Sequence, residues 1–199
     1  PSCPVAGFST MRITAGEHRG RRLRSPKGAR TRPTSDLLRQ AIFNVVGPRL
    51  AGARVLDLYA GTGAIGLEAL SRGARHATFV ERDRDALESL RANIRALGVA
   101  EQASVVAAEV PAALRRLAAA AARFDCVFLD PPYGAAAAGP CVERLAPGGV
   151  LSENALLVVQ AFHKEALPAA VGALRQAWRR RYGESSVTVY EVAVPGSRL

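Results

Sequence analysis

One tetrapeptide of this sequence combines residue types that could handle an amine. Asp130-Pro131-Pro132-Tyr133 follows a short apolar run. Its two prolines fix φ and remove N–H donors, which leaves carboxylate and carbonyl oxygens as acceptors. Such acceptors can hold the hydrogens of an exocyclic amine and stabilise the positive charge that develops on its nitrogen during attack. Tyr133 adds a flat face on which a base could stack, so these four residues form the candidate catalytic loop.

A glycine-rich turn follows an earlier apolar run. Gly61, Gly63 and Gly66 match the pattern G-x-G-x-x-G, in which glycines let a ligand approach the backbone at the start of a helix. The pattern alone fits both a pyrophosphate and the carboxylate of an amino-acid-like ligand. Asp57, four residues before Gly61, would repel a pyrophosphate but can pair with an ammonium or a sulfonium group. This carboxylate favours S-adenosylmethionine over NAD as the cofactor.

Two more acidic residues end the next apolar runs. Glu81 lies where a carboxylate can accept hydrogen bonds from both hydroxyls of a ribose, and Glu109 lies where it could accept one from an adenine amine. Tyr59 and Arg82, which adjoin the glycine turn and Glu81, complete the expected cofactor-binding set. The alternative for Asp57, Glu81 and Glu109 is a purely structural role, as caps of the helices that follow them.

Composition and charge restrict the class of protein. The net charge of +10 and the isoelectric point of about 10.7 favour a polyanionic partner, either nucleic acid or a membrane surface. No stretch approaches the roughly 18 apolar residues of a membrane span, and the start lacks the pattern of a secretory signal. We therefore expect a soluble, cytoplasmic protein. The spacing of Cys3, Cys126 and Cys141 fits neither a disulfide framework nor a metal centre, so no metal is expected.

A basic arm precedes the glycine turn. Between residues 12 and 39 the sequence is rich in arginine and contains only two acidic residues, Glu17 and Asp36. Glycines and prolines in this segment predict a short hairpin or an extended arm, with Ile13 and Leu23 as apolar anchors. Arginine forks can bind phosphate oxygens; the alternative is a solvated basic surface. The candidate nucleic-acid contacts are Arg19, Arg21, Arg22, Arg24 and Arg32.

The apolar periodicity predicts the elements that position these residues. A helix capped by Thr34 or Ser35 is expected to end near Gly47-Pro48. From residue 53 onward, strands alternate with helices, which predicts a doubly wound α/β fold with a mostly parallel, seven-stranded sheet. Strands are expected at 54–59, 76–81, 104–107, 124–129 and 155–160, and helices near 64–72, 83–97, 112–122 and 140–145. A helix from Pro168 to about Gln176 is expected next, followed by an antiparallel hairpin of strands near 179–182 and 186–194.

These elements suggest three parts of the chain. Residues 1–10 are expected to be a disordered leader, residues 11–50 a basic arm with a helix, and residues 51–199 a cofactor-binding catalytic domain.

The motifs together resemble a known enzyme family. Residues 57–66 with 130–133 resemble class I S-adenosylmethionine-dependent methyltransferases that act on an amino group of a base, whose fold is Rossmann-like. The segments 12–16, 19–23, 32–36, 43–44 and 66–73 are similar to RsmD-type enzymes, the bacterial 16S ribosomal RNA guanine-N2 methyltransferases. The similarity runs from Met11 to at least Tyr133. The sequence departs from the family at Ala15, where a glycine is usual, and at Leu37 and Gln40, where an arginine and a glutamate are usual. Because Leu37 and Gln40 lie in the helix expected after Ser35, these departures weaken any inference that this helix contacts RNA.

This resemblance implies a specific reaction. A methyl group would pass from S-adenosylmethionine to the N2 amine of a guanine in 16S ribosomal RNA, within a small-subunit assembly particle, and the enzyme would act as a monomer. The arginines of the arm would then contact RNA. The same tetrapeptide also serves adenine-N6 and cytosine-N4 methyltransferases of DNA. Two other classes stay open: an NAD-dependent oxidoreductase, which Asp57 opposes, and a non-catalytic RNA-binding protein, which the intact catalytic loop opposes.

Overall fold

The apolar runs that follow residue 53 form neighbouring strands of one sheet. This computed structural model describes residues 11–26, 36–132, 138–147 and 149–193. The strands are β1 (Arg54–Leu58), β2 (His76–Glu81), β3 (Ala103–Ala107), β4 (Phe124–Leu129), β5 (Leu151–Phe162), β6 (Ala170–Val171), β7 (Leu174–Tyr182) and β8 (Ser185–Val192). Their order across the sheet is β3-β2-β1-β4-β5-β8-β7-β6. Strands β1 to β5 are parallel, and β8, β7 and β6 extend the sheet as antiparallel neighbours.

Helices cover both faces of the sheet. They are α1 (Asp36–Val46), α2 (Ala64–Ser71), α3 (Arg84–Leu97), α4 (Val110–Ala119) and α5 (Ala138–Leu145). The first three pack on one face and the last two on the other. Along β1, Val55 belongs to the first apolar cluster and Leu56 to the second. Because the central strands are buried on both faces, their sequences are continuous apolar runs. A mostly parallel sheet with helices on both faces confirms the predicted doubly wound α/β fold.

The strand order places ligand-binding positions at one edge. It reverses at β1, since β2 and β3 lie on one side of β1 while β4 and β5 lie on the other. In such sheets the crevice outside the carboxyl ends of the strands, at the reversal point, is where ligands bind. The glycine turn follows β1 and the candidate catalytic loop follows β4. Since these strands pair in register, with Leu58 opposite Leu129, the two segments leave the sheet side by side.

The expected helix from Pro168 to Gln176 is wrong. This stretch instead contains β6 and the start of β7, joined through Gly172, whose φ of 55° suits glycine in a tight turn. Strand β7 pairs along the length of β8. The run Leu-Arg-Gln-Ala at 174–177 is locally compatible with a helix. It forms a strand because pairing with β8 satisfies backbone hydrogen-bonding groups of both strands. With the two-residue β6 the sheet has eight strands, one more than expected, while the hairpin across Gly183-Glu184 is confirmed.

The basic arm forms a short hairpin, as predicted. Arg12 and Arg22 make an antiparallel bridge, and backbone hydrogen bonds join Ile13 to both Gly20 and Arg21. Ile13 and Leu23 are buried in the first apolar cluster, which confirms them as the anchors. Helix α1 ends in a 3-10 turn at Gly47–Arg49, at the predicted place. The expected leader and the capping residues Thr34 and Ser35 lie outside the described residues.

Candidate cofactor and catalytic site

The glycine turn is shaped by close packing on two sides. Gly61 and Gly63 have φ values of 55° and 83°, a region that favours glycine. A Cβ on Gly63 would lie 2.4 Å from Leu90 Cδ1 of α3, and one on Gly66 would lie 2.3 Å from Phe79 Cε1 of β2. Around Gly61, by contrast, no described atom lies within 4 Å of where a Cβ would be. The turn is therefore packed tightly underneath and open at Gly61.

Asp57 lies beneath this turn at the end of β1. It is 2% exposed, and its Oδ2 accepts a hydrogen bond from the Gly66 N–H at 2.9 Å. Burial raises the pKa of Asp57 to about 7, against the opposing effect of the Gly66 bond, and the nearby carboxylates of Asp130 and Glu81 raise it further. Acidic side chains from three strand ends thus lie close together, with Asp130 and Glu81 acting on Asp57 electrostatically.

Backbone donors orient Glu81 at the end of β2. Its Oε2 accepts from the Gly61 N–H at 2.8 Å, and its Oε1 accepts from the N–H groups of Arg82 and Asp83 at 2.7 and 2.9 Å. Two carboxylate oxygens offer about four acceptor positions. Three are taken, so the carboxylate is held in one orientation and can still accept from a ligand hydroxyl next to Gly61.

An exposed ion pair joins the ends of β2 and β3. The Arg82 Nη1 donates to the Glu109 Oε1 at 2.5 Å, and both side chains are more than half exposed. This hydrogen bond raises the pKa of the Arg82 guanidinium. Glu109 directly precedes α4 and its side chain does not cap that helix, so its second oxygen is open to the crevice side or to solvent.

Tyr59 has an unusual backbone for a bulky residue. Its φ is 60°, in the left-handed region. The half-buried side chain reaches towards α5, where its hydroxyl lies 3.5 Å from the Cys141 Sγ. Burial raises the pKa of the Tyr59 hydroxyl, so this group stays a neutral phenol. The side chain packs against the second apolar cluster, which includes Cys141 of α5.

The candidate catalytic loop starts next to Tyr59. In the register of β1 and β4, Asp130 follows Leu129 as Tyr59 follows Leu58. Pro131 is buried and Pro132 is exposed. The effect of Asp130 on the pKa of Asp57 shows that the two carboxylates are close enough to interact. Tyr133 lies outside the described residues.

The arginines of the arm divide into tethered and untethered ones. Arg21 donates to the Ala96 carbonyl at 2.6 Å, and Arg24 lies 3.8 Å from the Glu88 carboxylate of α3. Arg19 and Arg22 are exposed, and within the described ranges their side chains form neither a hydrogen bond nor an ion pair. Arg32 lies outside the described residues. Among the candidate contacts that the structure describes, Arg19 and Arg22 are thus the cations without a side-chain partner, while Arg21 and Arg24 are exposed but partnered.

Sequence reasoning missed the residue that anchors the arm. Glu68 of α2 is 0% exposed and accepts from the Thr14 N–H and hydroxyl, both at 2.7 Å, from the Ala15 N–H at 3.0 Å and from the Arg72 Nε at 2.8 Å. Arg72 also lies over the Phe43 ring, 4.7 Å from its centroid. A lone charge in the otherwise apolar helix Ala64–Ser71 was the available signal.

Sequence reasoning also missed the buried Asn93. The Asn93 side chain of α3 bonds to the backbone of Arg24 in the arm and of Thr62 in the glycine turn. Its position three residues after the buried Leu90 marks it as inward-facing on an amphipathic helix, which could have drawn attention to it.

The described residues hold neither a membrane-spanning helix nor a cluster of metal-binding side chains. In that part of the chain, no helix has the length and apolar character needed to cross a bilayer. Nor does it bring three or more histidine, cysteine, aspartate or glutamate side chains together in an arrangement able to hold a metal ion.

Comparison with known proteins identifies the family. Residues 11–191 match the family model described as conserved hypothetical protein 95. The Escherichia coli (strain K12) protein named ribosomal RNA small subunit methyltransferase D is 37% identical over 163 residues, which cover 82% of this chain and 80% of that protein. The Bacillus subtilis (strain 168) protein YlbH is 35% identical over 181 residues, or 91% of this chain and 98% of that protein.

A solved structure agrees with these relatives. The Escherichia coli protein yhhF superposes with a TM-score of 0.79 at 32% identity, covering 94% of this chain and 99% of that one. Since the family model matches nearly the whole chain and these two relatives are more than 30% identical over most of their length, the chain belongs to the RsmD family, described as conserved hypothetical protein 95.

Proposed function

We propose that this chain transfers a methyl group from S-adenosylmethionine to the exocyclic N2 amine of a guanine in 16S ribosomal RNA. The observation that carries the proposal is the meeting of three carboxylates, Asp57, Glu81 and Asp130, at the carboxyl ends of β1, β2 and β4 beside an open glycine turn. Negative potential there suits a cationic sulfonium and opposes the pyrophosphate of NAD. The names of the rRNA methyltransferase relatives support the reaction.

The donors and acceptors of the crevice fit S-adenosylmethionine. Glu81, with one acceptor position left beside Gly61, would accept a hydrogen bond from a ribose hydroxyl. Glu109 would accept from the adenine amine, with Arg82 holding its carboxylate in place. Tyr59 and Gly63 would bound the pocket on the α5 and α3 sides. When bound, the cofactor supplies a methyl group on a sulfonium, which is a good leaving group.

Asp57 acts on this site from below. Its carboxylate is buried and bonded to the Gly66 N–H, so it shapes the turn and contributes its charge rather than an exposed oxygen. We therefore assign its role to the electrostatic field, while Glu81 makes the direct contact. This assignment refines the expected pairing of Asp57 with the positive end of the cofactor.

The catalytic loop would bind the target amine. The lone pair of an aromatic amine is delocalised into its ring, which makes it a poor nucleophile. Asp130 and the loop carbonyls accept its two N–H hydrogens, direct the lone pair out of the ring plane and stabilise the charge that develops on nitrogen. Pro131 and Pro132 offer no competing N–H donors. Tyr133 would stack on the guanine after it leaves its helix.

Substrate choice follows from the arm. Residues 11–50 would hold the ribosomal RNA through Arg19, Arg22 and Arg32, with Arg21 and Arg24 closer to α3, and residues 51–199 would hold the cofactor and carry out the transfer. A monomer acting in the cytoplasm on a small-subunit assembly particle completes the proposal.

Mass analysis of nucleosides tests this function. Purified protein is incubated with S-adenosylmethionine and either naked 16S RNA, small-subunit particles from a strain that lacks the gene, or duplex DNA. The proposal expects one N2-methylguanosine, formed on the particles, and formation slower by about 100-fold or more with the Asp130→Ala variant. The variant Asp85→Ala, which removes an exposed carboxylate from α3, is the matched control and should be active.

This experiment, together with measurements of NAD and RNA binding, separates the alternatives. N6-methyladenine or N4-methylcytosine in the DNA would replace the proposal with a DNA amine methyltransferase. Calorimetric binding of NAD in preference to S-adenosylmethionine would indicate an oxidoreductase. RNA binding without any methylated product would leave a non-catalytic RNA-binding protein.

A further inference from the structure

A single amide side chain connects the basic arm to the glycine turn. Asn93 of α3 is 2% exposed. Its Oδ1 accepts from the Arg24 N–H at 2.7 Å, and its Nδ2 donates to the Arg24 carbonyl and to the Thr62 carbonyl, both at 3.0 Å. Both N–H hydrogens of the amide are therefore used, one on the arm and one on the turn. The bridge spans 69 residues of sequence on the arm side and 31 on the turn side.

On the turn side, Asn93 acts at the part of the loop beside which the proposed cofactor would lie. Thr62 lies between Gly61, the open position, and Gly63, which packs against Leu90. Leu90 and Asn93 are three residues apart and share the inner face of α3. One turn of this helix thus fixes the glycine loop twice, by apolar packing and by a buried hydrogen bond. The Thr62 hydroxyl also donates weakly to the Met11 sulfur of the arm, at 3.5 Å.

On the arm side, Asn93 holds the backbone of a candidate RNA contact. Both the N–H and the carbonyl of Arg24 are bound to the amide. The Arg24 guanidinium is exposed and lies 3.8 Å from the Glu88 carboxylate, also on α3. A phosphate that binds Arg24 would therefore act on a residue whose backbone is joined, through one side chain, to the cofactor loop.

We propose that Asn93 is a positioning residue that couples the arm to the glycine turn, so that RNA on the arm and cofactor on the turn strengthen each other's binding. The proposal rests on the function given above. Its two states would be an arm docked through Asn93, as in this structure, and an arm released at Arg24. Each ligand favours the docked state, and linkage makes their effects on each other equal. Couplings of this kind typically amount to about 5-fold to 150-fold in affinity.

Two substitutions separate the parts of the bridge. Asn93→Ala removes all three hydrogen bonds. Asn93→Asp keeps the shape and the acceptor for the Arg24 N–H, but it offers no donor to the carbonyls of Arg24 and Thr62. The control is Ser89→Ala, which removes another buried polar group from α3. Circular dichroism and thermal unfolding establish whether each variant is folded. If Asn93→Ala is unfolded, the test uses Asn93→Asp alone.

The test is a pair of calorimetric titrations of the full chain with S-adenosylhomocysteine, with and without a protein-free 16S RNA transcript. We expect RNA to raise the affinity of the wild type and of Ser89→Ala at least fivefold, and to leave that of both Asn93 variants unchanged. Without RNA, both Asn93 variants should bind S-adenosylhomocysteine several-fold more weakly than the control. In assays of methyl transfer, the KM for the cofactor should rise more than kcat falls.

The outcomes distinguish this inference from the proposed function. If the wild type methylates RNA but the Asn93 variants keep its full RNA-dependent gain in affinity, the coupling is overturned and the methyltransferase stands. If the wild type forms no methylated RNA on small-subunit particles, the proposed function fails. The titrations without RNA then test the role of Asn93 by themselves. Equal affinity of the Asn93 variants and the control for S-adenosylhomocysteine would show that Asn93 does not position the glycine turn.

Discussion

The carboxyl edge of the sheet and the basic arm hold their charges in opposite ways. At the edge, Asp57 is buried and Glu81 accepts three backbone hydrogen bonds, so the position of each charge is set by the main chain. In the arm, buried contacts hold the backbone, as Glu68 does at Thr14 and Ala15, while the charged ends of Arg19 and Arg22 extend into solvent.

This difference corresponds to two kinds of ligand. A small cofactor has a fixed shape, and hydrogen bonds to it need acceptors in fixed places. A polyanion presents many equivalent phosphates, and attraction to it depends on the number of cations near the surface. The edge is therefore expected to respond sharply to the loss of a single atom. The arm is expected to respond to the count of charges and to salt.

Among changes at the carboxyl edge, Asp130→Ala should have the largest effect on methyl transfer. Methyl transfer should fall about 100-fold or more, in line with the loss of one group that stabilises developing charge, while the affinity for S-adenosylmethionine changes only a few-fold. Single-turnover assays and calorimetry measure the two effects. Wild-type turnover in this variant would remove Asp130 from the mechanism.

Glu81→Ala should produce the next largest effect. Charge-assisted hydrogen bonds contribute about 1.5 to 3 kcal/mol each, so the affinity for S-adenosylhomocysteine should weaken at least tenfold. Glu81→Gln, which keeps a carbonyl acceptor for the Gly61 N–H, should lie between this variant and the wild type. Calorimetric titration gives all three values, and an unchanged affinity in Glu81→Ala would make the carboxylate a purely structural group.

The pH dependence of cofactor binding tests the role of Asp57. Because its pKa is raised to about 7, the side chain gains its charge as the pH rises through that value, and a cationic ligand should then bind more tightly. Between pH 6 and 8 the protonated fraction falls from roughly nine-tenths to one-tenth, which predicts an increase in affinity of about tenfold at most. The variant Asp57→Asn, which keeps an acceptor for Gly66, should show a flat profile.

A second ligand serves as the control for Asp57. S-adenosylhomocysteine lacks the sulfonium charge, so its affinity should depend less steeply on pH than that of S-adenosylmethionine. Equal slopes for the two ligands, or an Asp57→Asn profile that follows the wild type, would contradict a role of this carboxylate in binding the sulfonium.

The arm should give the smallest effect, and one that depends on salt. Reversing Arg19 and Arg22 to Glu should reduce the slope of log affinity for 16S RNA against log salt by roughly 1.4, at about 0.7 per lost phosphate contact. Cofactor affinity should be unchanged. Arg115→Glu with Arg116→Glu changes the net charge equally at exposed positions of α4 and is the matched control. If both pairs change the slope alike, the arm contributes only general charge.

Local signals in the sequence were enough for the centre of the fold and the outline of the site. Strands β2 and β4 end at the predicted residues, Glu81 and Leu129, because short apolar runs between turns have few alternatives once they are buried. The glycine spacing marked the turn between β1 and α2. The carboxyl ends of parallel strands share one edge, so Asp57, Glu81 and Asp130 could be placed together before any coordinates.

Contacts between distant parts of the chain decided the rest. The segment after Pro168 became strands because β8 lay beside it, and no local pattern reports a neighbour. Glu68 meets Thr14 across 54 residues, and Asn93 meets Arg24 across 69. The burial that places Asp57 under the turn, and raises its pKa, likewise comes from packing on both faces of the sheet. Residue types and short spacings determine which chemistry is available, whereas burial and long-range hydrogen bonds depend on which segments fold against each other, and this only the tertiary structure decides.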